Sequence, residues 1–224
     1  MTIHVYRHVR GPVTAFQDRS DAGRQLAAFI DPEPDTGSMV MALPRGGVPV
    51  ARPIAEALDG ELHPVAVRKL PIPSSPEMGF GAAAIDGTVV LNNRVLETFG
   101  IDEETVRRVT AEVMSEISRR AMEYSGTLEV PRVSGRRVYL VDDGLATGYS
   151  VLAAGRMLSG MDPASMTLAV PVSPESTLRM INGMFNEKYC LMAQDRPSFA
   201  VAGYYRDFHD MSDTEVIEEL RAAS

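Results

Sequence analysis

The sequence predicts an α/β protein, a twisted parallel sheet of about five strands with helices on both faces. Two observations carry that expectation. Short apolar runs alternate along the chain with apolar residues recurring at steps of three and four, the pattern of buried strands covered by amphipathic helices. The runs also end in glycine-, aspartate- or proline-bearing loops that open directly into a helix, which suits right-handed strand–helix–strand crossovers. With 224 residues, 45% of them apolar, 6% aromatic and no Trp, the chain can bury a sizeable core, and a single domain over 1–224 is expected.

In chain order, Ala22, Leu26, Phe29 and Ile30 form a helical face opened by Asp18 or Ser20 and ended by the Asp- and Pro-rich stretch 31–37. Residues 39–43 read as a buried strand. Pro44-Arg45-Gly46-Gly47 breaks it, and Val48, Ala51, Ile54, Ala55 and Leu58 recur at helical spacing until Asp59-Gly60 stops that helix. Residues 63–68 make the next strand. Segment 69–76 holds three prolines and two serines without any period, which predicts a mobile loop. Asp86-Gly87, between runs 81–86 and 88–91, predicts a hairpin. Asp102 caps a long helix whose inner face is Val106, Val109, Val113, Ile117, Ala121 and Tyr124. Residues 138–141 and 166–170 are strands around a helix over 151–158 that Gly160 ends, and strands near 189–192 and 199–202 complete the sheet. Ser212-x-x-Glu215 is a capping box that Met211 and Val216 can staple.

The net charge of −8 argues against a nucleic-acid or membrane partner, which would call for a surplus of Lys and Arg. An anionic small substrate then needs a local cluster of cations. The one cysteine, Cys190, has no internal disulfide partner and reads as a small buried hydrophobe in a reducing compartment. No run is long enough to span a membrane and the N-terminus has no signal-peptide core, so a cytoplasmic protein is expected.

The chemistry concentrates in one stretch. The apolar run 138–141 leads into Asp142-Asp143-Gly144-Leu145-Ala146-Thr147-Gly148-Tyr149-Ser150: a strand, a carboxylate pair, then a glycine-bounded loop entering a helix. The carboxylates suit sugar hydroxyls or a hard cation, while backbone N–H groups at a helix N-terminus suit a phosphate. An Asp pair alone can be a plain turn, and Gly with Ser or Thr a plain cap; the combination in this context is harder to reach by chance. The stretch resembles the phosphoribosyl-pyrophosphate (PRPP) motif of the type I phosphoribosyltransferases. Two further segments fit the same reading. Pro44-Arg45-Gly46-Gly47 lies at a strand end on the same sheet edge, where two glycines let amides approach an anion and Arg45 offers a planar fork. Arg68-Lys69, followed by the proline-rich segment and Glu77-Met78-Gly79, looks like the family's flexible catalytic loop, with Arg68 and Lys69 also readable as a basic strand end and Glu77 as a surface residue.

The resemblance implies the type I phosphoribosyltransferase fold, with a small hood of terminal and hairpin segments over the base site. It implies Mg2+-dependent transfer of 5-phosphoribosyl from PRPP to a nitrogenous base or similar nucleophile, with release of pyrophosphate, by a cytoplasmic homodimer. Asp142 and Asp143 would take the ribose hydroxyls and a magnesium ion. Gly144, Leu145, Ala146, Thr147, Gly148 and Ser150 would hold the 5-phosphate; Arg45, Gly46 and Gly47 would hold pyrophosphate, with Arg68, Lys69 and Glu77 as further catalytic candidates. Gly203-Tyr204-Tyr205-Arg206-Asp207-Phe208 is similar to a segment of the 6-oxopurine members, which implies Asp207 as a second metal ligand and Tyr205 or Phe208 as a stacking face, although clustered aromatics also suit a core. Two departures separate the chain from those members: Ala146 stands where they place an aspartate base, and Val170-Pro171-Val172 where they place a lysine. A PRPP-binding regulator and a phosphoribosyl hydrolase or phosphorylase remain the alternatives.

Overall fold

The computed structural model describes residues 2–9, 13–181, 183–195 and 199–223. Its centre is a stretch whose side chains are apolar on both sides of the chain. In β2 (Met39–Ala42) every residue is buried, and successive side chains leave the strand in opposite directions. Met39 and Met41 join one core cluster while Val40 and Ala42 join another, so the strand must be covered on both faces. Its neighbours are β3 (Glu61–Pro64) on one side and β7 (Arg137–Val141) on the other. Beyond β7 lie β8 (Ser165–Pro174), β9 (Glu187–Gln194) and β1 (Thr2–His8). All pairs are parallel, in the order β1-β9-β8-β7-β2-β3.

One face carries α1 (Arg19–Ile30), α2 (Gly47–Leu58) and the terminal α7 (Asp213–Ala222), closed over Leu26, Ile54, Val141 and Val216. The other carries α5 (Tyr149–Ser159), which contributes Val151, Ala154 and Leu158 to the cluster around Met41 and Leu140. Against α5 rests a second, antiparallel sheet of β4 (Val67–Ile72), β5 (Ser75–Ala84) and β6 (Val89–Leu91). Its far face meets α4 (Glu103–Ser125) through Leu70, Phe80, Val109, Val113 and Ile117. The short helices α3 (Asn93–Phe99) and α6 (Glu175–Met180) complete the chain.

The expected helix starts are confirmed at Asp18, Asp102 and the Ser212–Glu215 box, each capping by side-chain acceptance. Three strand expectations need correction. The run 63–68 is not one strand: the main sheet ends at Pro64 and the chain turns into the second sheet as β4. The supposed loop 69–76 is a hairpin. Its prolines are tolerated because β4 is an edge strand and β6 pairs with β5 only at Gly81–Ala83, leaving Pro71 and Pro76 where few ladder bonds are required. Around Pro71 the β4–β5 register slips instead. Finally, 199–202 is no strand. Val201–Tyr204 is a 3-10 turn, with Phe199 and Val201 packed on the α1 and α2 face, and the outer place in the sheet belongs to β1. That strand is mostly exposed and polar, and so carries no hydrophobic run to announce it.

Candidate functional site at the carboxyl edge of β2 and β7

Because β2 and β7 are adjacent and parallel, the loops that follow them leave the same edge side by side. The Leu43 amide donates to Val141 O at 2.8 Å. At Gly47 an added Cβ would stand 2.8 Å from that same carbonyl, and at Gly46 it would fall 1.9 Å from Asp143 Oδ2. Gly46 has an ordinary right-handed φ of −66°; it is glycine because the neighbouring carboxylate occupies the space a side chain would need. The Pro44–Arg45 peptide between the strand and these glycines is cis. The two loops expected to share a ligand are therefore in contact.

The loop after β7 is a concentration of unused donors. Gly148 takes φ +77° and starts α5 without a side-chain cap. Among the described residues no acceptor meets the amides of Ala146, Thr147, Gly148, Tyr149, Ser150 or Val151, nor do the Thr147 and Ser150 hydroxyls bond to protein. Successive unsatisfied N–H groups at a helix start are an anion site, favoured also by the dipole. Leu145 differs: its amide donates to Val172 O at 2.9 Å and its side chain is buried, so it anchors the loop to β8 and offers no free donor. Thr177 Oγ1 donates to Ala146 O and ties the loop to α6. Across the crevice, the Arg45 and Gly46 amides also lack acceptors among the described residues, and Arg45, half-buried, has no ion pair there.

The two acids are not equivalent. Asp143 Oδ2 accepts from Arg19 Nε at 2.8 Å, and its main-chain oxygen accepts from the Tyr205 hydroxyl at 2.6 Å. Among the described residues Asp142 Oδ1 takes only the neighbouring Asp143 amide, at 2.9 Å. Removal from water, and then the adjacent Asp143 charge, push the Asp142 carboxyl well above the usual range. Desolvation raises Asp143 too, but the Arg19 guanidinium opposes it.

Several expected residues lie apart from this turn. Arg68 donates to Glu116 at 3.3 Å, and burial with the charges of Arg120 and Arg45 lowers its pKa. Arg68 shares a pocket lining with Pro44, the residue before Arg45. Lys69 Nζ donates to Glu77 O at 2.7 Å across the hairpin. Arg68 is half-buried while Lys69 and Glu77 are exposed, and the bonds of Arg68 and Lys69 go elsewhere than the acidic turn. Tyr205 is corrected from stacking face to core: it is buried between Phe16 and Phe208, with its hydroxyl committed to Asp143. One face of Phe208 is covered by the Arg19 guanidinium, 3.9 Å from the ring centre. Asp207 is exposed and paired with His209 at 3.1 Å. Asp207 and Arg19 line the same cleft, and among the described residues no group of three or more His, Cys, Asp or Glu side chains gathers as a metal site. Cys190 is free and buried, as expected.

Arg19 is the residue that sequence reasoning missed. The one local hint is its place in the first turn of α1, where the helix dipole mildly disfavours a cation; nothing in the sequence points to Asp143 as its partner.

Residues 12–202 match the family described as phosphoribosyl transferase domain. The chain belongs to the phosphoribosyl transferase family. A Mycobacterium tuberculosis H37Rv protein named "Putative phosphoribosyl transferase Rv0571c", and its counterpart MT0597 in strain CDC 1551, are each 38% identical over 208 residues, 93% of this chain and 47% of theirs. The chain thus spans about half the length of these curated relatives. The crystal structure of TT1426 from Thermus thermophilus superposes with a TM-score of 0.73 at 34% identity, covering 94% of this chain and 99% of that one. The parallel sheet and its helices are those of the type I phosphoribosyltransferase fold. No described helix is long and apolar enough to cross a membrane.

Proposed function

We propose that this phosphoribosyltransferase transfers the 5-phosphoribosyl group of PRPP to a nitrogenous base or similar nucleophile, releasing pyrophosphate. The observation that carries the reading is the run of six amides from Ala146 to Val151 that meet no acceptor among the described residues, set between a carboxylate pair and Arg45, which has no ion pair among those residues. A doubly charged phosphate needs such donors; a ribose needs carboxylate acceptors for its hydroxyls; and a leaving pyrophosphate needs a cation opposite. In this reading the amides and hydroxyls from Ala146 to Ser150 hold the 5-phosphate. Asp142 accepts from the ribose and stabilises positive charge as the bond at C1 breaks. Arg45, with its own amide and that of Gly46, grips pyrophosphate, and Arg68 adds charge from the same side. Magnesium fits the donor set, since it binds through one or two carboxylates and substrate oxygens; Asp142 would hold it, and it would neutralise charge on the leaving group. A single domain with a hood of hairpin and terminal segments, acting as a cytoplasmic homodimer, belongs to the same proposal.

The test is pyrophosphate release from PRPP and Mg2+, with and without a panel of nucleobases, for the native chain and Asp142→Asn. Release that depends on an added base, falling about 100-fold or more in the variant, is expected. Release without any base would assign hydrolysis, and tight binding with no release would assign a regulator. Unchanged turnover in Asp142→Asn would remove the acidic turn from the chemistry.

A further inference from the structure

We propose that the cavity at the joint between the two sheets is a second ligand site. It takes a flat single ring bearing a carboxylate, held through Arg68 and Arg120, and its occupant weakens the hold of the neighbouring Arg45 on PRPP. The binding half stands on the cavity alone, while the coupling half rests on the proposed PRPP reaction.

The cavity opens where the chain passes from β3 into β4. Ala66 and Val67 form one wall, Ile117 and Ala121 of α4 a second, and Leu128 and Val130 of the loop after α4 a third. Ile117 and Ala121 are buried while Leu128 is 50% exposed, so the apolar lining runs from the core out to the surface. Its closed part measures about 30 Å3 as traced by the centre of a water-sized sphere. One water needs roughly 10–15 Å3 on that measure; a slot a few times larger suits a flat ring with one substituent and is too small for a nucleotide.

Two guanidiniums line the same space. Each gives one nitrogen to Glu116, Arg68 Nη1 at 3.3 Å and Arg120 Nε at 2.9 Å, and their remaining nitrogens meet no acceptor among the described residues. Glu116 also accepts from Arg119, so one carboxylate serves three cations. Burial, then the nearby charges of Arg120 and Arg45, lower the Arg68 pKa. Glu129 lines the cavity too but is exposed, and the Tyr124 hydroxyl is committed to Asp213. Apolar walls with a few convergent polar groups make a small-molecule site, and a guanidinium fork is the natural partner of a planar carboxylate.

Position sets this site apart from the PRPP crevice. Pro44 and Pro64 line it where β2 and β3 end, whereas the acidic turn follows β7 on the other side of β2. Displacement at ribose C1 brings the nucleophile to the face opposite the leaving group, so a ligand beyond Arg45 is an effector and not the acceptor. An anion that neutralises Arg68 and Arg120 reduces the positive field offered to the diphosphate. Such coupling is reciprocal, so PRPP weakens the effector by the same factor.

The probe is benzoate, titrated into the full chain while the amide resonances of Ala121 and Leu128 are followed by NMR. Benzamide, with the ring and no charge, and acetate, with the charge and no ring, are the controls. Benzoate should saturate with a Kd of about 1 mM or tighter, a scale open to so small a ligand. Each control should bind about tenfold or more weakly. Saturating benzoate should raise the Kd for PRPP with Mg2+ about fivefold, and saturating PRPP should raise that for benzoate equally. Arg120→Gln should weaken benzoate about tenfold or more and abolish its effect on PRPP. Leu128→Ala, at an exposed wall where folding is not at stake, should weaken benzoate about threefold and leave PRPP affinity unchanged. No saturable shift at Ala121 by about 10 mM benzoate, or acetate binding as well as benzoate, would overturn the cavity as a site. Benzamide matching benzoate would remove the arginines from it. A PRPP Kd that kept climbing with benzoate would mean entry into the PRPP crevice and would overturn the second site, while benzoate binding with PRPP affinity unchanged would overturn the coupling. A native chain that binds no PRPP would sink the proposed function, and the benzoate titration would still decide the cavity.

Discussion

The helices of this protein start in two ways. At α1, α3, α4 and α7, an Asp, Asn or Ser side chain accepts from a first-turn amide; at α6, Asp195 does so for Ser176. At α2 and α5 no side chain caps the helix, and a glycine stands at each start. These two starts flank each other at the sheet edge. Capping a helix adds stability and uses up its donors; leaving one open keeps the donors for something else, at a cost in stability. The pattern therefore separates helix starts that hold the fold from those free to hold a ligand.

Substitutions at the two glycines should break this contrast most strongly. Gly46→Ala forces a methyl group onto the Asp143 carboxylate. Relief requires moving the Arg19–Asp143 pair or the glycine loop, so a loss of about 1–3 kcal/mol in urea-unfolding stability is expected, with turnover falling at least 100-fold, roughly the scale of a misplaced reactive group. A variant of native stability with full activity would show that the loops need not touch. Gly148→Ala is next. Its φ of +77° disfavours any side chain, and a methyl would press on Thr177 and Ile181, for a cost of about 1–3 kcal/mol. Because the distortion falls on the open amides, affinity for PRPP should drop as well, as calorimetry can read.

A capped start should behave oppositely. Asp102→Ala removes the acceptor for the Thr105 amide and should cost about 1 kcal/mol by denaturant melt, with Kd and kcat unchanged. If it weakened PRPP binding as Gly148→Ala does, the separation between fold-holding and ligand-holding starts would fail.

What could be read from the sequence follows the range over which its signals act. The acidic turn, its glycine loop and Pro44-Arg45-Gly46-Gly47 were legible as loops sharing one sheet edge because each motif is written in consecutive residues, and the fold then only had to make β2 and β7 neighbours. The caps at Asp18 and Asp102 were legible for the same reason. Arg19 was not, since its partner lies 124 positions away and nothing local names it. β1 was hidden because an edge strand needs no apolar run, and the β4–β5 hairpin because prolines that usually signal a loop sit where the ladder has no partner. Tyr205 misled for a third reason: an aromatic beside a ligand site and one buried beneath it look the same until burial is known.

The smallest expected effect concerns a second contrast, in charge. At the acidic turn two carboxylates share one guanidinium; on α4 the imbalance is reversed, with Glu116 accepting from Arg68, Arg119 and Arg120. Arg119 above all holds the Glu116 carboxyl down at about 2, against an ordinary 4.5. A depressed carboxyl stabilises the fold fully above its unfolded value and loses that contribution as pH falls through the folded one. The stability advantage of the native chain over Glu116→Gln should therefore be greatest above pH 4.5 and shrink as the pH falls toward 2. The side chain is 29% exposed, and solvent screening keeps the full difference to about 1 kcal/mol or less. Urea midpoints for both proteins at pH 7, 5, 4 and 3 would measure it. A difference that stayed constant across that range would mean that Glu116 acts by packing its methylene stem and not by its charge.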